Sequence, residues 1–286
     1  MDKRELISVY EQVCKDIKNG YYINQFGEEI NFEKVRRLKT ETKMYGGNDL
    51  LSEIPETERP YYPKRIVYVE NIDTFEKALK WDDPKNTAVL NMASFRNPGG
   101  GVSTGARAQE EDLCRRSNLL LALYGIYGKA NWGYCPEEYE YPIDTYGTIF
   151  TPYVNIYQQA KTYEPFDEPR LTAVISASMV IRPSLDEEGN IMKKIVHIVK
   201  KKIRAVLRTA IKHNKSKLVL GAWGCGAYGC PAKHMAELFY NILKEQEFLN
   251  SFQEICFAIL DDENAKRLNN PEGNYKPFKD KFGENK

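Results

Sequence analysis

The chain lacks any apolar run approaching the roughly 20 residues that cross a bilayer, which excludes a helical membrane span. It also lacks net charge: 41 Lys and Arg against 40 Asp and Glu leave +1. No bulk attraction to nucleic acid or an anionic membrane follows, so an anionic ligand must be held locally. Histidine is scarce, and His197, His213 and His234 all fall on predicted helices away from the glycine-rich loops. His213, near a helix C-terminus, suits the dipole there. The opening residues do not show a secretory signal pattern. The six cysteines, Cys14, Cys114, Cys135, Cys225, Cys230 and Cys256, show no repeated pair spacing. The expectation is reduced thiols in a cytoplasm. Cys225 and Cys230 without further ligands make a weak metal site, and structural thiols are the expectation. There is no internal repeat and no low-complexity tract.

What remains is the composition of a folded globular protein, 42% hydrophobic and 28% charged, long enough for one large domain with an extension. Residues 2–18 carry apolar side chains at near-helical spacing, ended by Asn19-Gly20. From there to Pro63 the sequence is polar and irregular, with 31–39 as one helical stretch. Residues 1–60 therefore read as an N-terminal helical and irregular extension, and 61–286 as the main domain. The main domain alternates strands at 65–70, 87–92, 146–158, 171–181, 217–220 and 255–260 with helices at 74–81, 110–124, 191–213 and 231–245. This rhythm predicts an α/β fold, with a mixed, largely parallel sheet, helices on both faces and an antiparallel edge near 163–169. The Lys200-Lys-Lys202 run reads as a solvated helix face.

The most informative stretch is Asn97-Pro-Gly-Gly-Gly-Val-Ser-Thr-Gly-Ala-Arg-Ala-Gln-Glu-Glu111, between a predicted strand and a predicted helix. Gly99, Gly100 and Gly101 allow a ligand to lie directly on the main chain. Gln109, Glu110 and Glu111 then open the helix. Acids in a first turn often serve only its dipole, but beside a triple glycine a second use arises. Cleaving a glycosidic bond requires a proton for the departing oxygen, and an ionised neighbour raises the pKa of the carboxyl that delivers it. A second loop, Gly221 to Pro231, follows the strand at 217–220 and precedes a helix, so its N–H groups can cradle a pyrophosphate. It has no Lys-Ser/Thr ending of a P-loop. Neither loop has the Gly-x-Gly-x-x-Gly of a dinucleotide oxidoreductase.

These residues resemble the microbial type of poly(ADP-ribose) glycohydrolase, a branch of the macrodomain superfamily. The signature is a triple glycine followed, after six to eight residues, by Gln-Glu-Glu; here Val102 to Ala108 separate Gly101 from Gln109. The strand Val89-Leu-Asn-Met-Ala-Ser94, the continuation Glu111-Asp-Leu-Cys-Arg-Arg-Ser117 and the loop Gly224-Cys-Gly-Ala-Tyr-Gly229 support it, over residues 60–262. The resemblance implies a macrodomain-like three-layer α/β/α sandwich that binds ADP-ribose and hydrolyses ribose–ribose bonds of poly(ADP-ribose), with water as second substrate and no metal or redox cofactor. Glu111 would protonate the leaving group and Glu110 hold a distal-ribose hydroxyl, with Gln109 supporting the pair. Gly99 to Gly101 would approach the distal ribose and diphosphate, and Asn97 a ribose hydroxyl. Gly224, Cys225, Gly226, Ala227, Tyr228 and Gly229 would wrap the diphosphate, with Tyr228 over the distal ribose. The motifs do not identify the adenine contacts, Glu70 being one acidic candidate. Asp261 and Asp262 read as a polar strand end. Two other functions use the same loops: a non-hydrolytic ADP-ribose-binding module, and a hydrolase acting on mono-ADP-ribosylated protein or nucleic acid. The intact Glu110-Glu111 pair favours an enzyme.

Overall fold

The computed structural model describes residues 1–124, 141–261, 265 and 269–283; Cys135 and Asp262 lie outside them. Helix α1 (Lys3–Asn19) starts with a capping box between Asp2 and Glu5 and stops at Gly20, whose left-handed backbone (φ 85) ends it. A hairpin of β1 (Tyr21–Ile23) and β2 (Glu29–Asn31) follows, then α2 (Val35–Glu41) and β3 (Lys43–Tyr45). Next come β4 (Ile66–Glu70), α3 (Thr74–Trp81), β5 (Thr87–Met92), α4 (Gln109–Arg115) and α5 (Leu119–Leu123). The chain ends with β6 (Thr148–Gln158), β7 (Pro165–Ala177), α6 (Lys193–Lys212), β8 (Lys217–Leu220), α7 (Ala232–Leu243), β9 (Glu254–Ala258) and α8 (Tyr275–Phe282).

Seven strands form one sheet in the order β3-β6-β7-β5-β8-β9-β4. The five from β7 to β4 run parallel, and β6 and β3 close one edge antiparallel. One apolar cluster packs α6, α7 and α8 on one face, around Val199, Ile203, Leu207, Phe239 and Phe278. The other packs α1, α3, α4 and α5, around Val13, Phe75, Leu113 and Leu120. The expected three-layer α/β/α arrangement with a mixed sheet is thus present. The segment 1–60 supplies edge strand β3 and the buried face of α1.

Four details differ from the sequence reading. The helix expected over 110–124 is two helices, because Ser117 and Asn118 spend their side chains on backbone: Ser117 Oγ bonds Leu113 O and Leu119 N, and Asn118 Oδ1 accepts from Asn155 N. Lys202 is buried rather than solvated, its ammonium donating to Ser178 O at 2.8 Å and to Thr145 O. His234 is not remote from the second loop; it sits in the first turn of α7, and its Nδ1 accepts from Ile191 N at 2.8 Å. His213 stacks on Phe150 with ring centroids 3.5 Å apart, and burial lowers its pKa to about 4, so its packing works against a charge that would favour the helix dipole. No helix among the described residues is long and apolar enough to cross a membrane.

Candidate active site

Both glycine-rich loops leave carboxyl ends of central parallel strands, β5 and β8, which are neighbours in the sheet. Such ends are where open α/β sheets present ligand sites. The first loop runs from Ala93 to Ala108 and turns on Gly99 and Gly100, with left-handed φ of 71° and 59°. Gly100 cannot be replaced without cost, because a Cβ there would land on Glu111 Oε1 and 2.9 Å from Glu110 Oε2. The triple glycine is therefore the floor on which both carboxylates rest.

The two glutamates do not cap their helix. Ala108 is the N-cap and makes no side-chain cap bond; the acids turn back onto the loop instead. Glu110 Oε2 accepts from Ser94 N at 2.7 Å, and Oε1 from Gly99 N at 3.2 Å and Tyr141 OH at 3.4 Å. The Asn91 amide, which donates to Ser176 Oγ at 3.0 Å, also favours the ionised form of Glu110. Glu111 Oε1 accepts from Gly101 N at 2.8 Å, while Glu111 Oε2 is buried with no partner. Both residues are less than a tenth exposed. Burial pushes the Glu110 carboxyl up to about 8; the Ser94 N–H opposes this and the charge of Glu111 adds to it. The pair therefore retains a proton at neutral pH.

Gln109 has both polar ends committed to protein: Oε1 accepts from Met92 N at 2.9 Å, and Nε2 donates to Leu90 O at 2.7 Å and Thr74 Oγ1 at 3.3 Å. It stitches the start of α4 to the end of β5 and so fixes where the next two residues point. Asn97 is exposed at the loop's outer end, where its carbonyl accepts from Gly100 N at 2.9 Å.

The second loop is held from below. Asn270 donates to Cys225 O at 2.9 Å and Cys230 O at 3.1 Å and accepts from Ala232 N at 2.7 Å; Asn269 donates to Gly229 O at 2.7 Å. Gly224 and Gly229 take left-handed φ of 84° and 68°. Nothing within 4 Å would meet a Cβ at Gly226, so the loop's outer side is open. Among the described residues, no backbone acceptor takes the N–H of Gly226, Ala227 or Tyr228. Tyr228 joins the loops: its hydroxyl donates to Ala93 O at 3.4 Å and is influenced by the Ser178 and Ser94 hydroxyls and by both glutamates. Burial raises its pKa.

The structure thus brings Glu110, Glu111, Gly99 to Gly101 and Tyr228 together, with the loop Gly224–Gly229 adjoining. Two other acidic candidates are engaged by the protein itself. Glu70 ends β4 and holds Lys77 at 2.6 Å and Lys80 at 3.3 Å. Asp261 accepts from Asn274 N and Tyr275 N at 2.8 and 3.0 Å, tying the last strand to α8. Cys225 and Cys230 are buried free thiols, and among the described residues no three metal-ligating side chains cluster. Sequence reasoning passed over Asn91, Ser94, Tyr141 and Asn270. Only Asn91 carried a signal, a lone amide inside the apolar strand Ala88-Val-Leu-Asn-Met92.

Residues 11–159 match the family of microbial-type PARG catalytic domains. Among solved structures, poly(ADP-ribose) glycohydrolase from Thermomonospora curvata bound to the inhibitor ADP-HPD is 21% identical, over 98% of this chain and 100% of that one, with a TM-score of 0.76. A second crystal structure of the same enzyme superposes with a TM-score of 0.78. Poly(ADP-ribose) glycohydrolase from Deinococcus radiodurans in complex with ADP-ribose is 25% identical over 88% of this chain and 98% of that one, with a TM-score of 0.68. No curated protein matches the chain.

Proposed function

This chain belongs to the microbial-type poly(ADP-ribose) glycohydrolase (PARG) catalytic-domain family, whose reaction is hydrolysis of ribose–ribose bonds to release ADP-ribose, and we propose that Glu111 supplies the proton this reaction needs. The observation that carries this assignment is the buried, partnerless Glu111 Oε2 beside the triple glycine. Every other carboxylate oxygen of the pair already accepts a bond from the protein.

The reaction needs an acid for the leaving oxygen and a fixed anion beside an oxocarbenium-like centre. Ser94 N–H, Gly99 N–H and Tyr141 hydroxyl all donate to Glu110, and donors stabilise the ionised form. A ribose hydroxyl donating to Glu110 adds to them. In the substrate complex Glu111, whose Oε2 has no protein partner, passes a proton to the departing ribose oxygen. The resulting carboxylate takes a proton back from the attacking water, which restores the pair. Gly99 to Gly101 admit the distal ribose, Asn97 meets a ribose hydroxyl at the mouth, and Gln109 keeps the glutamates aimed. The unclaimed N–H groups of Gly226, Ala227 and Tyr228 wrap the diphosphate. The Tyr228 ring covers the distal ribose. ADP-ribosylated macromolecules that offer the same distal ribose would enter the same site, and the buried thiols Cys225 and Cys230 fit work in a reducing cytoplasm.

The test is Glu111→Gln, which keeps the side-chain volume and removes the titratable proton. kcat is expected to fall about 10²- to 10⁴-fold, with ADP-ribose binding by calorimetry retained. Full turnover by the variant would remove Glu111 from the role. The wild-type rate profile supplies a second check. The two carboxyls face one another, so kcat/KM should hold near neutrality and fall as pH rises through about 8, where the buried Glu110 carboxyl ionises.

A further inference from the structure

Helix α6 carries charge of one sign only. Its 20 residues hold eight Lys and Arg side chains, His197 and no acid, in a chain whose total charge is +1. Three of the eight are occupied by the fold: Lys202 by the carbonyls of Thr145 and Ser178, Arg204 by Glu245 and Arg208 by Glu247. Lys193, Lys194, Lys200 and Lys201 have no carboxylate at ion-pair distance among the described residues. Lys193, Lys194 and Lys201 are exposed and Lys200 is half-buried, with the Lys201 ammonium 5.1 Å over the Tyr146 ring. Cations in a first helical turn oppose the dipole. That turn contains no acid to offset Lys193 and Lys194, so their placement does not serve the helix.

The head of this strip adjoins the second loop. Arg182, exposed and in left-handed backbone (φ 46), donates its N–H to Tyr228 O at 2.7 Å. Two residues on, Ser184 O accepts from Met192 N at 3.0 Å, and Ile191 N reaches His234 at the start of α7. Lys193 and Lys194, then Lys200 and Lys201 seven residues further, share one face of α6, whose start follows the segment that Arg182 ties to Tyr228 through its backbone. The exposed turn Asp186, Glu187 and Glu188 borders it with negative charge.

We propose that this face binds the diphosphates of the polymer units next to the one in the cleft, making α6 a docking strip for poly(ADP-ribose); the proposal rests on the hydrolase reading above. Each unit of that polymer brings a diphosphate, and flexible lysines at helical spacing meet a flexible polyanion as point charges. The binding is electrostatic and therefore falls with salt.

The experiment compares wild type with the combined variant Lys193→Gln, Lys194→Gln, Lys200→Gln and Lys201→Gln. The substrates are long-chain poly(ADP-ribose) and the ADP-ribose dimer, which has one ribose–ribose bond. KM for the long polymer should rise at least tenfold with kcat unchanged, and dimer hydrolysis should be unaltered. The slope of log(kcat/KM) against log salt should flatten by about 0.7 for each phosphate that the variant no longer neutralises. Thermal stability should hold or rise, since two first-turn cations are gone. Equal effects on dimer and polymer, or no effect on either, overturn the proposal. RNA that competes as well as poly(ADP-ribose), without a chain-length-dependent loss in the variant, reassigns the strip to nucleic acid. Long-polymer binding by Glu111→Gln, with and without the four changes, reads the strip without turnover, so a failure of the strip is distinguishable from a failure of the hydrolase reading.

Discussion

At the scale of single residues, the geometry of the candidate site depends on one missing side chain. Gly100 combines a left-handed backbone with no room for a Cβ between the two carboxylates. Gly20 has the same backbone sign at the end of α1 and nothing within 4 Å. The two sites therefore separate backbone strain from site geometry. Gly20→Ala and Gly100→Ala should each cost about 1–2 kcal/mol for the left-handed conformation. Only Gly100→Ala should also displace Glu111 and lower kcat by more than tenfold. Urea melts paired with initial rates check this, and an active Gly100→Ala enzyme would mean that the carboxylates are not held against the loop. The loop that carries the candidate site was legible in the sequence because Gly-Gly-Gly and Gln-Glu-Glu are residue-type signals. The partners of Glu110 were not legible for the opposite reason. Ser94 and Gly99 act through backbone N–H groups that any residue but proline has, and Tyr141 comes from a distant segment.

At the scale of elements, the parallel centre of the sheet was legible where burial on both faces leaves a continuous apolar run, as in Ala88-Val-Leu of β5 and Leu218-Val-Leu of β8. Strand β3 was not, since three residues that include an exposed Lys43 carry no period. Helix α8 was not either, because Tyr-Lys-Pro-Phe-Lys-Asp-Lys-Phe buries only Phe278 fully. Lys202 was misread because a run of three lysines hides that its third member faces inward. Its ammonium bonds two carbonyls, and burial lowers its pKa to about 8. Between pH 8 and the ordinary lysine value the unfolded chain binds this proton and the folded chain does not, so stability rises with pH across that window. Lys202→Met should reduce that rise, seen in urea unfolding at pH 8 and pH 10, with Lys215, which burial also lowers to about 8, supplying a remainder. An unchanged difference between the two pH values would show that Lys202 is not desolvated.

At the scale of the molecule, the two apolar layers have different relations to the chemistry. Helices α6 and α7 pack on one face, whereas α1 shares its cluster with Leu113, Cys114 and Leu120, directly behind the glutamates. Helix α1 also touches the first glycine-rich loop: a Cβ at Gly105 would meet Lys3 O at 2.6 Å, and Arg107 donates to Met1 O at 2.6 Å. Arg115, buried on α4, carries the constraint onward by donating to Ala106 O at 2.7 Å, and Ala106 N bonds Gly101 O at 3.2 Å. Gly101 N in turn holds Glu111. The N-terminal helix thus acts as a buttress for the loop that holds Glu111. Leu6→Ala in α1 and Leu207→Ala in α6 each delete a buried leucine side chain and should each cost about 2–5 kcal/mol in urea unfolding. If the buttress operates, only Leu6→Ala lowers kcat under conditions where both variants are folded, because the slack it creates reaches Gly101 and Glu111 through Gly105 and Ala106. Equal kcat values for the two variants would make α1 a packing element with no part in aiming the proton.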